Sequence, residues 1–148
     1  MADDIFRTLS DSVLASPQIQ VEDVARARDQ GVTLIVNNRP DGESPDDPQG
    51  PEIKAAATAA GLDYVAIPVT HSGFSMPQVD AMADALSGAQ GKVLAYCRSG
   101  TRSTLLWAMA RAKQGESPDA IAEAAAAAGY DVTPVRATMN ALAAQAND

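Results

Sequence analysis

Three short apolar runs recur along the chain, each separated from the next by a stretch with helical spacing. They are VTLIVN at 32–37, DYVAIPV at 63–69 and KVLAY at 92–96. Apolar, β-branched runs of this length read as buried strands. Between them, VEDVARARDQ at 21–30 places apolar residues at helical spacing, with acids in its first turn and Gly31 as a stop. Residues 52–60 are alanine-rich and closed by Gly61, and a further helix is predicted over 77–86. This alternation implies an α/β fold: a parallel sheet flanked by helices on both faces. Right-handed crossovers narrow the topology, and ligands of such sheets gather at the carboxyl ends of the strands.

After the third run the pattern turns helical. Residues 103–113 are expected to form a helix that buries Leu105, Leu106 and Met109. PDAIAEAAAAA follows as a helix with Ser117 as its N-cap, Pro118 in the first turn and Gly129 at its end. A last helix is predicted over 134–145. The stretch from Asn38 to Pro51, NRPDGESPDDPQGP, is rich in Pro, Gly and Asp and reads as a loop. A loop of that length in a compact fold is often functional. No repeat or linker interrupts the chain, so residues 1–148 are expected to form a single domain.

Charge removes some functions. The formal net charge of −8 repels nucleic acid and anionic membranes, whose binding needs a basic footprint. No apolar stretch is long enough to span a bilayer, and the polar start MADDIFRTLSD lacks the core of a secretion signal. The single cysteine excludes an internal disulfide framework, and a reducing cytoplasm is the expected compartment. One histidine and one cysteine leave too few good ligands for a catalytic metal, and no cofactor is expected.

That cysteine sits in AYCRSGTRST at 95–104, at the end of the third strand and just before a helix. Free cysteine often serves as a small buried hydrophobe. Here its surroundings point to a nucleophile. The thiolate is the reactive form, and a helix N-terminus and guanidinium groups both favour it. The backbone N–H groups of Arg98, Ser99, Gly100, Thr101, Arg102 and Ser103 form a potential anion cradle, with Gly100 permitting a positive φ. Arg102 offers a planar fork of donors to that anion, and Arg98 adds a second positive charge. Ser103 or Thr104 is expected to hydrogen-bond the sulfur.

CRSGTRS resembles the active loop of the rhodanese sulfurtransferases and, at one remove, that of the cysteine-dependent phosphatases. The wider chain resembles the phosphatase-like domain family of the bacterial β-lactamase-hydrolase-like proteins, also described as containing sulfurtransferases. The marks are VNNRPDGE at 36–43, YVAIPV at 64–69, YCRSGTRSTLLWAMARA at 96–112 and AGYD at 128–131. The resemblance implies a fold like that of the dual-specificity phosphatases, with Cys97 and Arg102 in the active loop. It also implies a partner: a metallo-β-lactamase-fold module of the persulfide dioxygenase type.

Two chemistries compete on this loop. Phosphatases place five residues between nucleophile and arginine, whereas Cys97 and Arg102 enclose four, as in many rhodaneses. Phosphatases usually carry histidine before the cysteine, where Tyr96 stands here. They also need an acid for the leaving oxygen, whereas sulfite leaves thiosulfate without a proton. The leading expectation is therefore a rhodanese-type sulfurtransferase. It would carry sulfane sulfur as a Cys97 persulfide from thiosulfate or another persulfide to a thiol acceptor. The alternatives are a phosphatase-like hydrolase forming a phosphocysteine, and a non-catalytic module sensing an anion or persulfide. His71, the only histidine, and Asp41 are candidate acids, though Asp41-Gly42 also suits a plain turn. Arg39 would bind substrate or pair with Glu43.

Overall fold

A computed structural model describes residues 5–70 and 72–146. Its sheet contains β1 (Arg7–Ser10), β2 (Val13–Ser16), β3 (Val32–Asn37), β4 (Asp63–Ala66) and β5 (Lys92–Tyr96), in the spatial order β1-β2-β5-β3-β4. The pairs β2–β5, β5–β3 and β3–β4 are parallel. β1 alone is antiparallel, folded onto β2 through Asp11 and Ser12. The sheet is therefore mixed and mostly parallel, flanked by helices on both faces.

Period-two alternation assigns the strand side chains to two cores. Leu94, Tyr96 and Ile35 pack with Val24, Ala27, Ile53 and Ala57 from α1 (Val21–Asp29) and α2 (Gly50–Ala59). Val93, Ala95, Leu34 and Val36 face α3 (Met76–Gly88), α4 (Thr101–Lys113), α5 (Pro118–Ala127) and α6 (Arg136–Ala146). The central helix is α4, which contacts α3, α5 and α6, and its residues from Ser103 to Ala110 are all buried. A helix buried all round needs apolar residues on every face, which LLWAMA at 105–110 supplies.

Several sequence boundaries move. The strand expected over 63–69 ends at Ala66, because its partner β3 ends at Asn37, the residue opposite. Beyond it, Ile67 N–H still donates to Asn37 O and Val69 N–H to Asn38 O, while Pro68 has no N–H to give. α4 begins at Thr101 rather than 103, since Gly100 adopts φ +90° and turns the chain into the helix at once. The last helix is preceded by a short 3-10 turn, Thr133–Val135. No helix among the described residues is long and apolar enough to cross a membrane.

Candidate active site

The carboxyl ends of β2, β3 and β5 together hold the cysteine loop. Asn38 N–H donates to Tyr96 O at 2.9 Å, Cys97 N–H to Ser16 O at 3.3 Å, and Gln18 N–H to Arg98 O at 3.2 Å. The loop is thus pinned from both neighbouring strands. Gly100, in its left-handed conformation, directs its N–H back to Cys97 Sγ at 3.1 Å. Cys97 has no exposed surface and lies at the floor of the loop. The first turn of α4 starts beside it, and helix starts carry N–H groups without intrahelical partners.

Arg102 and Cys97 are brought together. The Arg102 guanidinium holds its proton above its usual range, first through its hydrogen bond to Glu43, with the Cys97 sulfur adding to the effect. Nη1 and Nη2 of Arg102 donate to the two Glu43 oxygens at 2.6 and 2.8 Å, and Nη1 also donates to Val69 O at 2.7 Å. Glu43 further accepts from Arg39 Nε at 2.9 Å. These cations, Arg102 foremost, hold the Glu43 carboxyl down to about 2 against the opposing effect of burial. Arg39 is itself buried and also donates to Asp47 at 2.6 Å and Gln18 at 2.9 Å. Of the two sequence expectations for Arg39, the pairing with Glu43 is the contact present.

The loop's hydroxyl groups do not bond the sulfur, contrary to expectation. Ser103 Oγ donates to Asn38 Oδ1 at 2.8 Å, and Asn38 Nδ2 donates on to Ile67 O at 2.9 Å. Thr104 Oγ1 donates to Gly100 O at 2.9 Å. Once α4 starts at Thr101, these two hydroxyls lie a turn into the helix and find nearer acceptors. Ser99 Oγ donates to Thr101 Oγ1 at 3.0 Å, and both residues are exposed, as is Arg98. Above the loop lies a groove of about 450 Å³ lined by Arg39, Glu43, Ser44, Asp47, Arg98, Ser99 and Arg102.

The candidate acids fare differently. Asp41 Oδ1 accepts the Gly50 N–H at 2.8 Å, capping the first turn of α2. His71 lies outside the described residues. Sequence reasoning passed over Asn38, Asp47, Gln18 and Tyr130, whose hydroxyl donates to Ser99 O at 3.1 Å. Asn38 and Tyr130 had a signal, as parts of the VNNRPDGE and AGYD marks.

The model of the phosphatase-like domain of β-lactamase hydrolase-like proteins matches residues 5–114. The chain belongs to this family. A β-lactamase hydrolase-like protein of Agrobacterium fabrum is 34% identical over 107 residues, which are 72% of this chain and 25% of that protein. The chain thus spans about a quarter of the length of that curated relative. A candidate phosphatase of Neisseria meningitidis is 31% identical and superposes with a TM-score of 0.81 over 95% of this chain and 99% of its own. TpbA of P. aeruginosa, solved in complex with phosphotyrosine, shares the fold at 19% identity. Its TM-score is 0.68 over 100% of this chain and 95% of its own.

This set overturns the expectation of a rhodanese-type sulfurtransferase working through a Cys97 persulfide. The family is that of a phosphatase-like domain, and the fold is shared with a solved phosphotyrosine complex. The sulfurtransferase expectation rested on loop spacing, on Tyr96 in the place of a histidine and on the proton-free departure of sulfite, all of them local features. Neither the family model nor the solved relatives support a rhodanese-type reading of CRSGTRS.

Proposed function

We propose that the chain is a cysteine-dependent hydrolase of phosphate monoesters. The observation that carries this reading is the Gly100 N–H directed at Cys97 Sγ on a loop that continues into the helix bearing Arg102. A backbone donor and a guanidinium meeting at one sulfur suit a nucleophile that must also gather the oxygens of a phosphoryl group.

In the first step the Cys97 thiolate attacks phosphorus, an S–P bond forms and the P–O ester bond breaks. The departing oxygen takes a proton from an acid or, for a phenol, from water. In the second step water attacks the phosphocysteine, the S–P bond breaks, and inorganic phosphate leaves with the thiolate restored. Arg102 keeps capacity for this work. Its contacts to Glu43 and Val69 use both Nη1 protons and one on Nη2, leaving Nε–H and the second Nη2–H. That remaining edge is the two-point fork that matches phosphoryl oxygens. Because Cys97 is fully buried, side chains at the groove rim must turn aside as the ester enters.

The test is aryl phosphate turnover together with intact mass spectrometry after acid quench. A mass increase of one phosphoryl group, lost together with turnover in Cys97→Ser, is expected. Absence of both turnover and phosphorylation in the wild type would overturn the reading.

A further inference from the structure

Tyr130 comes from the segment after α5, beyond the residues matched by the family model, yet its hydroxyl reaches the cysteine loop. It donates to Ser99 O at 3.1 Å, and on the other side of the same peptide unit Gly100 N–H donates to Cys97 Sγ at 3.1 Å. In a planar trans peptide the C=O and N–H point in opposite directions, so fixing one fixes the other. We propose that Tyr130 is a positioning residue: by holding the Ser99 carbonyl outward it keeps the Gly100 N–H aimed at the nucleophile.

The loop needs such a clamp because Gly100 is free on both sides of φ zero. Rotation of the 99–100 peptide unit costs a glycine little, and it would turn a carbonyl oxygen toward the sulfur in place of the N–H. Tyr130 sits directly against Gly100. A Cβ added there would collide with the phenol oxygen and lie 2.9 Å from Cζ, so only glycine leaves room for the ring. The tyrosine is in turn fixed from two elements. Its own N–H donates to Ala125 O at 2.9 Å in α5. From β1, Arg7 lies 5.7 Å from the ring centroid and donates to Ala128 O at 3.0 Å. Burial pushes the phenol pKa up, so the hydroxyl remains a donor at neutral pH. The proposal rests on the reading of Cys97 as the nucleophile.

Tyr130→Phe keeps the ring against Gly100 and removes only the donor. The direct readout is the Gly100 amide resonance by NMR, recorded with and without Cys97→Ser. In the wild-type background the amide is expected to respond to Cys97→Ser, because it is bonded to Sγ. In the Tyr130→Phe background that response is expected to be lost. Aryl phosphate kcat is expected to fall about three- to tenfold, the effect of one hydrogen bond, with a smaller change in KM. The same Gly100 response in both backgrounds would overturn the proposal. The NMR readout needs no turnover, so an inactive protein would defeat the phosphatase reading while leaving this one to be decided. An unchanged melting temperature in Tyr130→Phe would assign the effect to the loop rather than to the fold.

Discussion

Arg102 and Glu43 meet end to end: both carboxylate oxygens of Glu43 take hydrogen bonds from Arg102, and one of them also takes a bond from Arg39. Glu43 lies in the long loop after β3, so the loop between Asn38 and Gln49 reaches across to orient the first turn of α4. The carboxylate leaves one donor edge of Arg102 open, so it positions the arginine without consuming it.

Glu43 also sets an acid dependence. Its native pKa of about 2 lies below the ordinary value of 4.5, so the unfolded chain takes up a proton first as pH falls. The stability supplied by the pairing is present above about pH 4.5 and is lost progressively down to about pH 2. Glu43→Gln is expected to flatten that part of the curve. Urea melts of both proteins across this range check it, and parallel curves would remove Glu43 from the acid response.

Arg102→Lys keeps the charge and loses the planar fork. A lysine cannot bind both Glu43 oxygens and still offer a two-donor edge. Turnover of an aryl phosphate is expected to fall on the order of ten- to a thousandfold, as for removal of a preorganised donor. The circular dichroism spectrum should be retained. Unchanged kinetics would place Arg102 outside the reaction.

Much of this architecture is legible in the sequence where one periodicity dominates. VTLIVN and KVLAY are strands at the predicted residues, because both are buried on two faces and carry no competing turn signal. The hairpin of β1 and β2 is not legible, since RTLS and VLAS are too short to show alternation against their polar surroundings. Cys97 and Arg102 stand out through residue type and spacing. Tyr130 does not, because its role depends on a peptide unit brought near it only by packing of α5 and β1. The chemistry is less legible for a similar reason: loop spacing, Tyr96 and leaving-group chemistry are local features, whereas the phosphatase-like family shows in residues 5–114 taken together.

Gly100→Ala introduces two separate penalties. At φ +90° an L side chain is strained, and the new Cβ collides with the Tyr130 phenol. Thermal melts are expected to show a clear loss of stability, with loss of turnover. Tyr130→Ala in the same chain removes the collision and leaves the strain, so the double variant should be more stable than the sum of the single effects implies. Additive effects would show that ring and glycine do not press on each other.

Ser103→Ala separates support of the loop from chemistry in it. The Ser103 hydroxyl is buried and donates to Asn38 Oδ1, and Asn38 holds Ile67 O through its amide. Deleting the hydroxyl leaves a buried acceptor without that donor, at a cost of about 1–3 kcal/mol. Because Ser103 bonds Asn38 rather than Cys97, the loss is expected in unfolding free energy, while acid-quench phosphorylation of Cys97 persists. Ser103→Thr retains a hydroxyl and should recover much of the stability if the added methyl fits. The opposite pattern, full stability with no phosphocysteine in Ser103→Ala, would mean that the hydroxyl turns from Asn38 to the sulfur during the reaction.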